Sequence, residues 1–485
     1  MIVQLNVLSL LAVFFSFVFQ VLFLRKYGAV LATDQYYLVI GIIFFISSII
    51  NGLLTDLYIP VYKSLPEEGK ERPMLTGALL VLSLIISLSA VILIEAIPGI
   101  FVKIFASGIK GKGATEAVTL LRITAPSLIF IFVNNIFMLT LNTHMYFILP
   151  YSLRLLPPLS NILTLLFLAQ RFGVKVILVG FVLSQFITFI IYIIYSPGRI
   201  DITLNNPFSN NQLKRLLAKN LPIRFGNILY LLKDPLTLNF LSYLGEGSIT
   251  IFNFAQKIYM IIQNTLQLPY ISTFFVKISR FISEKKDKES ISKLFRETLT
   301  TTTIMLAITY TITILLFKPV IIPLLGSNFG ANQFRLLFNT FLCLSPFFMV
   351  FSIELPASRT TFALQKSFVV LRINIIFIIS YFVLLKLPFW IHCINAIPIS
   401  LLISQSINTI QYYWISYKYG IKVPPLDIII PFSYILFLTI VGFLTYTHQI
   451  FFYVLTAISS LLFYLVFKKQ LINAFNVITR TGEIR

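Results

Sequence analysis

Long apolar runs alternate with short polar segments from the start of the chain to about position 468. Most runs contain about 20 residues or more, the length that an α-helix needs to cross a bilayer core of roughly 30 Å. The strands of a membrane barrel would instead alternate polar and apolar residues over about ten positions. The pattern predicts about fourteen transmembrane helices, at 2–24, 36–61, 74–102, 116–142, 146–169, 174–196, 220–243, 249–276, 298–325, 335–358, 366–388, 389–416, 427–446 and 450–468.

The composition excludes a soluble protein. Hydrophobic residues make up 58% of the 485 residues, charged residues make up 11%, and the mean hydropathy is +0.90. A soluble domain usually carries about 25% charged residues, because its surface faces water. The fold class that we predict is therefore an all-α polytopic membrane protein. No basic residue precedes the first apolar run, so we interpret that run as a membrane helix and not as a cleaved signal peptide.

The net charge of +21 comes from basic residues that lie mostly between the apolar runs. This placement is typical of the positive-inside rule of membrane proteins and argues against nucleic-acid binding. An even number of helices puts both termini on one side of the membrane. The loops of that side and the C-terminal tail hold about twice as many Lys and Arg residues as the opposite loops. The bias predicts a multi-pass protein with both termini in the cytoplasm.

Two pairs of similar segments recur at a spacing of about 220 residues. KYGAVLATDQYYL resembles SYLGEGSITIFNF, and LRITAPSLIFIF resembles FLCLSPFFMVF. Parallel repeats of this kind are a transporter architecture with the substrate site between the halves, although chance similarity among apolar helices is the alternative. The predicted domains are a six-helix N-lobe at 1–206, an amphipathic linker at 207–220, a six-helix C-lobe at 221–420, and two last helices with a cytoplasmic tail at 421–485.

Signatures of an enzyme are absent from the sequence. It has no H-E-x-x-H, no G-x-S-x-G and no Walker loop, so we expect a protein that is not an enzyme and has no metal site or cofactor. A membrane glycosyltransferase, polymerase or ligase usually needs a large outer loop with catalytic residues, and all the predicted outer loops are short. Transport by this chain would depend on H⁺ or Na⁺, on the membrane potential, or on the substrate gradient.

Ionisable residues inside the predicted spans are the informative ones, because each costs roughly 2.5–3.5 kcal/mol to insert into a membrane. Most of them are basic, which suits an anionic substrate and not a cationic drug. The alternative is that long basic side chains near helix ends extend to the membrane surface. From the set Arg122, Arg154, Arg224, Lys233, Asp234, Lys257, Glu354 and Arg372, the predicted substrate-binding residues are Lys257, Arg224, Lys233 and Arg122.

The tripeptide Lys233-Asp234-Pro235 falls near the middle of the seventh predicted span. Pro235 removes a backbone hydrogen bond to Leu231 and should kink or interrupt the helix. Interrupted helices with charges at the membrane midplane indicate transport sites. A structural kink with a locally satisfied ion pair is the alternative, although neighbouring residues point in different directions on a helix and need not pair. Asp234 is one candidate for coupling to an ion.

Three regions of the chain resemble the MviN/MurJ lipid II flippases of the multidrug/oligosaccharidyl-lipid/polysaccharide exporter superfamily. The regions are RKYGAVLATDQYYL at 25–38, LLRITAPSLIF at 120–130 leading into LNTHMYFILP at 141–150, and YLGEGSITIFNFAQKIY at 243–259. The resemblance covers roughly residues 5–420. It implies fourteen helices in two lobes around a cationic cavity, with the last two helices helping to hold the lipid tail.

The resemblance also implies roles for two residues. Asp34 matches the conserved acidic residue of the family, which makes it the second coupling candidate, and Lys257 stands where the family has an essential arginine. The stretches 11–23 and 41–52 depart from the pattern, because they lack the basic residues that would hold the pyrophosphate and sugar in relatives.

The function that we predict is a flippase in the cytoplasmic (inner) membrane of a bacterium. It would move a polyprenyl-pyrophosphate-linked saccharide, a lipid II-like cell-wall precursor, to the outer leaflet by alternating access. Its partners would be that substrate and membrane lipids, and the protein would be a monomer. The alternatives are a flippase for O-antigen or capsule-type lipid-linked oligosaccharides and a drug or cation antiporter of the same superfamily, which would need acidic cavity residues.

Overall fold

The computed structural model describes residues 2–66, 69–208, 210, 213–214, 225–364, 366–387, 393–444, 455–456 and 458–460. Within these ranges the regular structure is helical and contains no β-strand, which confirms the predicted all-α class. Contacts divide the chain into two compact units. Unit 1 comprises Met1–Thr250 with Ser327–Phe329, and unit 2 comprises Ile251–Gly326 with Gly330–Arg485.

Unit 1 consists of helices that pack side by side and are often interrupted. They are α1 (Ile2–Tyr27), α2 (Leu31–Ser64), α3 (Glu71–Ala96), α4 (Pro98–Ala106), α5 (Lys112–Thr124), α6 (Ser127–Thr143), α7 (Ile148–Leu153), α8 (Leu156–Phe167), α9 (Ala169–Phe172), α10 (Lys175–Tyr195) and α11 (Lys233–Leu241).

Helix α12 (Ser248–Ile262) begins in unit 1 and continues into unit 2. It runs through a π-helical turn at Gln263–Gln267 into α13. The remaining helices are α13 (Leu268–Ser283), α14 (Lys288–Leu316), α15 (Ile322–Leu325, after a second π-helical turn at Phe317–Ile321), α16 (Ala331–Ala363), α17 (Ser367–Leu385), α18 (Ala396–Lys418) and α19 (Leu426–Leu444).

Nine helical segments in the described part of the chain are long and apolar enough to cross a membrane, which makes the chain a multi-pass membrane protein. Exposed apolar side chains on them, such as Ile92 and Ile194, suit contact with lipid because no polar surface is needed there. The total of fourteen helices stays a prediction, and the last predicted span lies mostly outside the described residues. The nine segments are Val7–Tyr27, Leu31–Ile49, Glu71–Ala96, Lys112–Thr143, Lys175–Tyr195, Lys288–Leu325, Ala331–Ala363, Phe368–Leu385 and Leu426–Leu444.

Prolines explain where several spans break. Helix α5 ends just before Pro126 and α6 begins just after it. The predicted span at 146–169 is divided into α7, α8 and α9. The break before α8 is explained by Pro157 and Pro158, which occupy its first turn, where spare N–H groups make proline acceptable. Helix α16, by contrast, continues through Pro346 and Pro356, as membrane helices often do when neighbours satisfy the freed carbonyls.

The charged run at 279–297 forms the end of one helix, a turn and the start of the next helix. Helix α13 ends at Ser283 and α14 begins at Lys288. Asp287 is the N-cap of α14, because its carboxylate accepts hydrogen bonds of 2.8 Å from the N–H and the hydroxyl of Ser290. These bonds hold the pKa of Asp287 below its usual range.

Contacts place α11 in unit 1, whereas the sequence assigned residues 221–420 to the second lobe. The physical reason is a set of hydrogen bonds to the end of α4. The Asn239 side-chain amide donates to the carbonyl of Ile104 (2.8 Å) and to Ser107 Oγ (2.9 Å), and the Gly108 N–H donates to Ser242 Oγ (2.9 Å). The contact-based boundary therefore follows Thr250, later than the predicted linker at 207–220, most of which lies outside the described residues.

Candidate functional site

Lys257 lies in the third turn of α12, on its less buried face. Ala255 and Tyr259 occupy the opposite face and are fully buried, while Met260, on the side of Lys257, is exposed. The Lys257 side chain is partly buried and makes no ion pair or hydrogen bond with the described residues. Among the described residues, no carboxylate lies within ion-pair distance of its ammonium.

An aromatic stack on the face of α12 opposite Lys257 holds the helix in place. Tyr259 stacks on Phe348 and Phe341 with ring centroids 4.4 and 4.7 Å apart. Its hydroxyl donates a hydrogen bond of 3.0 Å to the carbonyl of Phe341. Buried aromatic pairs stabilise a core beyond their area, and a buried tyrosine hydroxyl needs a partner. The contacts of Tyr259 therefore hold α12 in one position, and Lys257 is carried on the same helix.

Lys233 and Asp234 form an ion pair, with Lys233 Nζ 3.1 Å from Asp234 Oδ1. The pair matches the alternative of a structural kink with a locally satisfied ion pair. The helix is interrupted at Leu232, and the two residues open the first turn of α11, so they are not held in the middle of a regular helix. The ammonium of Lys233 also lies 4.5 Å from the ring centroid of Tyr230.

Pro235 accounts for the interruption at Leu232, as the sequence predicts. It occupies the third position of α11, where its missing N–H is one of those that need no partner inside the helix. Asp234 stands in the first turn, a position at which a carboxylate interacts favourably with the helix dipole. The charge of Lys233 is thus already compensated on one side, unlike that of Lys257.

Asp34 is buried on α2 and accepts three hydrogen bonds. The N–H groups of Gly247 and Thr250 donate over 2.6 and 2.8 Å, and the Thr250 hydroxyl donates over 2.6 Å. Gly247 has φ +85°, and a Cβ atom there would lie 2.6 Å from the carbonyl oxygen of Ala29, so only glycine fits. Asp34 therefore fixes the turn from which α12 starts, and its coupling role stays a prediction.

Arg122 lies near the end of α5 with its side chain 52% exposed. Its guanidinium is 3.5 Å from the carboxylate of Glu95 and donates a hydrogen bond of 3.4 Å to the Glu95 carbonyl. Such an exposed pair is common on a protein surface and contributes little. The prediction that Arg122 binds substrate gains nothing from this geometry. Arg224 lies outside the described residues.

Aromatic residues occupy the two helices that the family resemblance expects to be basic. In α1, Phe19 and Phe23 are buried and stack at 5.6 Å, and Phe23 lies 4.8 Å from Tyr36 of α2. Among the described residues of α1, the only charged ones are Arg25 and Lys26 in its last turn. The Lys26 ammonium donates to the carbonyl of Leu165, so it belongs to a packing contact.

A buried polar group around Glu354 was not predicted as a site from the sequence. Glu354 of α16 is buried, and the side-chain amide of Gln405 on α18 donates a hydrogen bond to its carboxylate. The sequence held a signal for it, because Ser400, Ser404 and Asn408 recur at four-residue spacing inside an apolar span. A polar row of that kind marks a helix face that meets other protein and not lipid.

Comparisons with known proteins agree with the resemblance. The sequence model of the family described as "Lipid II flippase MurJ" matches residues 24–467. Lipid II flippase MurJ of Thermosipho africanus is 30% identical over 191 residues, which is 38% of this chain and 39% of that relative. A probable lipid II flippase MurJ of Borreliella burgdorferi is 23% identical over 453 residues, 87% of this chain and 85% of the relative. The match to the first relative thus spans well under half of its length.

A solved structure supports the fold. The structure described as "Lipid II flippase MurJ, inward closed conformation" superposes on this chain with a TM-score of 0.77. The alignment covers 100% of both chains at 18% sequence identity. At this identity the likeness establishes the arrangement of the helices.

Proposed function

Because this chain belongs to the lipid II flippase MurJ family, we propose that it moves a polyprenyl-pyrophosphate-linked saccharide of the lipid II type across the bacterial cytoplasmic membrane. The observation that carries the proposal is the family match along residues 24–467. The helical membrane architecture and the lack of any enzyme signature agree with a transporter. We further propose that the protein works as a monomer. We also propose that both termini lie in the cytoplasm, as the bias of Lys and Arg residues towards that side predicts.

Lys257 is the residue that we assign to the pyrophosphate. It is a cation inside an apolar helix without a neutralising partner among the described residues, and an anionic substrate would supply that partner. Lys233 is a secondary candidate, because Asp234 already pairs with it. Arg224 and Arg122 stay predictions from the sequence.

The alternative is a flippase for another lipid-linked saccharide, of the O-antigen or capsule type. The aromatic character of α1 around Phe19 and Phe23 favours it, since basic residues for the lipid II headgroup are missing there. Both readings share the polyprenyl pyrophosphate and differ in the sugar. An antiporter of cationic drugs fits less well, because Lys257 would repel its substrate.

The membrane potential can drive this transport without an ATP site. A pyrophosphate diester carries about two negative charges, and a potential of roughly 100 mV contributes about 2.3 kcal/mol for each charge moved outward. Two uncompensated charges would yield about 4–5 kcal/mol, which favours outward over inward movement roughly a thousandfold. Coupling to H⁺ or Na⁺ through Asp34 or Asp234 is the rival mechanism.

Depletion in the native bacterium tests the proposal. We expect lipid II to accumulate in the inner leaflet when the chain is depleted, and purified protein to move fluorescent lipid II across the bilayer of proteoliposomes. Accumulation of a different lipid-linked saccharide would support the alternative. Flux of an organic cation, with lipid II left in place, would contradict both.

A further inference from the structure

The chain between α10 and the predicted linker lies against α3 in unit 1. We call residues 200–208, which follow the turn after α10, the strap. The N–H of Thr203 donates a hydrogen bond of 3.1 Å to the carbonyl of Pro73, in the first turn of α3. Ile200 at the start of the strap and Pro207 near its end are buried. The strap is thus packed on unit 1 near both ends and bonded to α3 in its middle.

Gly77 of α3 is the residue that lets the strap come so close. A Cβ atom at this position would lie 2.0 Å from the carbonyl oxygen of Thr203 and 2.9 Å from the Cα atom of Leu204. Carbon atoms do not approach backbone atoms so closely, and backbone cannot turn aside as the end of a long side chain can. Glycine at position 77 is therefore required for the strap to lie on α3.

Asn210, just beyond the strap, adds a second attachment and starts a helix. Its side-chain amide donates a hydrogen bond of 3.4 Å to the carbonyl of Met74 in α3. Its side-chain oxygen accepts a hydrogen bond of 3.0 Å from the N–H of Leu213, which is the contact that an N-cap residue makes. Leu213 and Lys214 are helical, and Leu213 is buried. The predicted amphipathic linker therefore begins at a point that is fixed to α3.

Two large apolar side chains of the strap stay outside this packing. Leu204 and Phe208 are 74% and 68% exposed. Between them, the side-chain oxygens of Asn205 and Asn206 accept hydrogen bonds of 2.8 and 2.9 Å from the N–H groups of Asn206 and Phe208, so these backbone donors have local partners. Two exposed apolar side chains on one short segment are unfavourable in water and favourable in lipid.

The residues just before the strap indicate that it lies at the surface of the membrane. Ile193 and Ile194, in the last turn of α10, are 44% and 73% exposed on a helix long and apolar enough to cross a membrane. The guanidinium of Arg199 lies 3.9 Å from the ring centroid of Tyr195. Tyrosine and arginine often mark the boundary between hydrocarbon and headgroups. The exposed side chains of the strap therefore continue a surface that meets lipid.

We propose that the strap is a membrane anchor that holds Leu204 and Phe208 in the boundary between headgroups and acyl chains. The contacts with α3 fix the backbone of the strap, and lipid covers the side chains that unit 1 leaves exposed. The bias of Lys and Arg residues assigns this end of unit 1 to the cytoplasmic leaflet. The anchor sets the depth at which the linker begins, and it does not depend on which saccharide the protein carries.

Spin labels can report the surroundings of these two side chains in the full-length chain in lipid nanodiscs. Cys343 and Cys393 are first replaced by serine, and a nitroxide is then attached at Leu204→Cys or at Phe208→Cys. Oxygen concentrates in the lipid, whereas a charged or strongly polar nickel chelate stays in the water. We expect both labels to collide more often with oxygen than with the nickel chelate.

Two control positions calibrate the measurement. A label at Ile194→Cys on the exposed side of α10 should prefer oxygen, and a label at Lys286→Cys in the turn between α13 and α14 should prefer the nickel chelate. Labels at 204 and 208 that behave like the label at 286 would overturn the proposal. Labels shielded from both reagents would also overturn it, because another protein segment or a second copy of the chain would then cover the strap.

Gly77→Ala tests the attachment of the strap to α3. The added methyl group displaces the strap, so we expect the label at Leu204→Cys to lose its preference for oxygen. Gly99→Ala in α4 is the matched control, because a Cβ atom there would meet nothing within 4 Å. A preference for oxygen that survives in folded Gly77→Ala protein would overturn the role of α3. If Gly77→Ala does not fold, the labels in the protein that keeps Gly77 still decide whether the strap meets lipid.

Discussion

The carboxylate of Asp34 accepts a hydrogen bond of 2.6 Å from the hydroxyl of Thr250, which lies 216 positions further along the chain. The N–H groups of Thr250 and Gly247 donate to the same carboxylate. Through these bonds an acidic residue of α2 fixes the first turn of α12, the helix that carries Lys257. Asp34 and Lys257 are the two residues to which the family resemblance assigns roles, and the first holds the start of the helix that carries the second.

We expect Asp34→Ala to destabilise the protein. The substitution leaves the N–H groups of Gly247 and Thr250 buried without an acceptor, and each such group costs about 1–3 kcal/mol. Thermal unfolding in nanodiscs would show this as a melting temperature lowered by several degrees. The control is Asp234→Ala at a half-exposed carboxylate, which should change the melting temperature much less.

Asp34→Asn separates the structural role from a role in coupling. A variant that melts like the unmodified protein but whose transport no longer responds to an ion gradient would assign coupling to Asp34. We expect the opposite result, in which the loss of stability and the loss of transport go together.

Lys257→Ala should reduce transport by roughly 10- to 100-fold. A hydrogen bond between charged groups is worth about 1.5–3 kcal/mol, and 1.4 kcal/mol corresponds to a factor of ten. Lys257→Arg should keep most of the activity, because the positive charge stays. The assay is lipid II flux in proteoliposomes, with Lys277→Ala at an exposed position of α13 as the matched control. Normal flux by a folded Lys257→Ala protein would remove this residue from the site.

Dissipating the membrane potential should stop net outward transport, whereas removing ATP alone should not. In sealed proteoliposomes a K⁺ gradient with valinomycin sets the potential, and reversing its sign should reverse the direction of net flux. The physical reason is the work that the field does on the pyrophosphate charges. Flux that ignores the imposed potential and follows a Na⁺ or H⁺ gradient would favour ion coupling instead.

Cysteine labelling checks the predicted topology. Cys343 and Cys393 are free and partly buried, so both are first replaced by serine. Lys286→Cys, in the exposed turn between α13 and α14, should react with a membrane-impermeant maleimide only after the membrane is opened. Lys110→Cys, before α5, should react in intact cells. Labelling of residue 286 from outside would reverse the assigned orientation.

The sequence predicted the elements whose cause is local. Apolar length alone located the spans that the nine segments confirm, because a bilayer imposes that length on any helix that crosses it. Pro235 was sufficient to predict a break, since the lost N–H and the ring clash act on the helix that contains the proline. The break at Pro126, inside the predicted span 116–142, was not predicted.

Features that depend on distant contacts could not be predicted. The sequence of α11 does not show that Asn239 forms a hydrogen bond with the end of α4. The assignment of α11 to unit 1 therefore came only from the structure. The ion pair of Lys233 and Asp234 was left open by the sequence as one of two alternatives, because the choice depends on the exact start of α11, which sequence patterns locate only within a few residues. The four-residue spacing of Ser400, Ser404 and Asn408 was visible in the sequence. The sequence did not show that their helix, α18, packs against α16, which carries Glu354.

The π-helical turn at Gln263–Gln267 has a consequence for chain length. A π-helical turn arises when one residue is inserted into an α-helix while the flanking segments keep their faces. Loss of one residue between these two glutamines would return the helix to regular geometry and leave Tyr259 and Phe274 facing the core. A deletion earlier in α12, between Thr250 and Lys257, would instead rotate Lys257 by about 100° relative to the anchored first turn. Relatives that are one residue shorter here should therefore show their alignment gap within the π-helical turn.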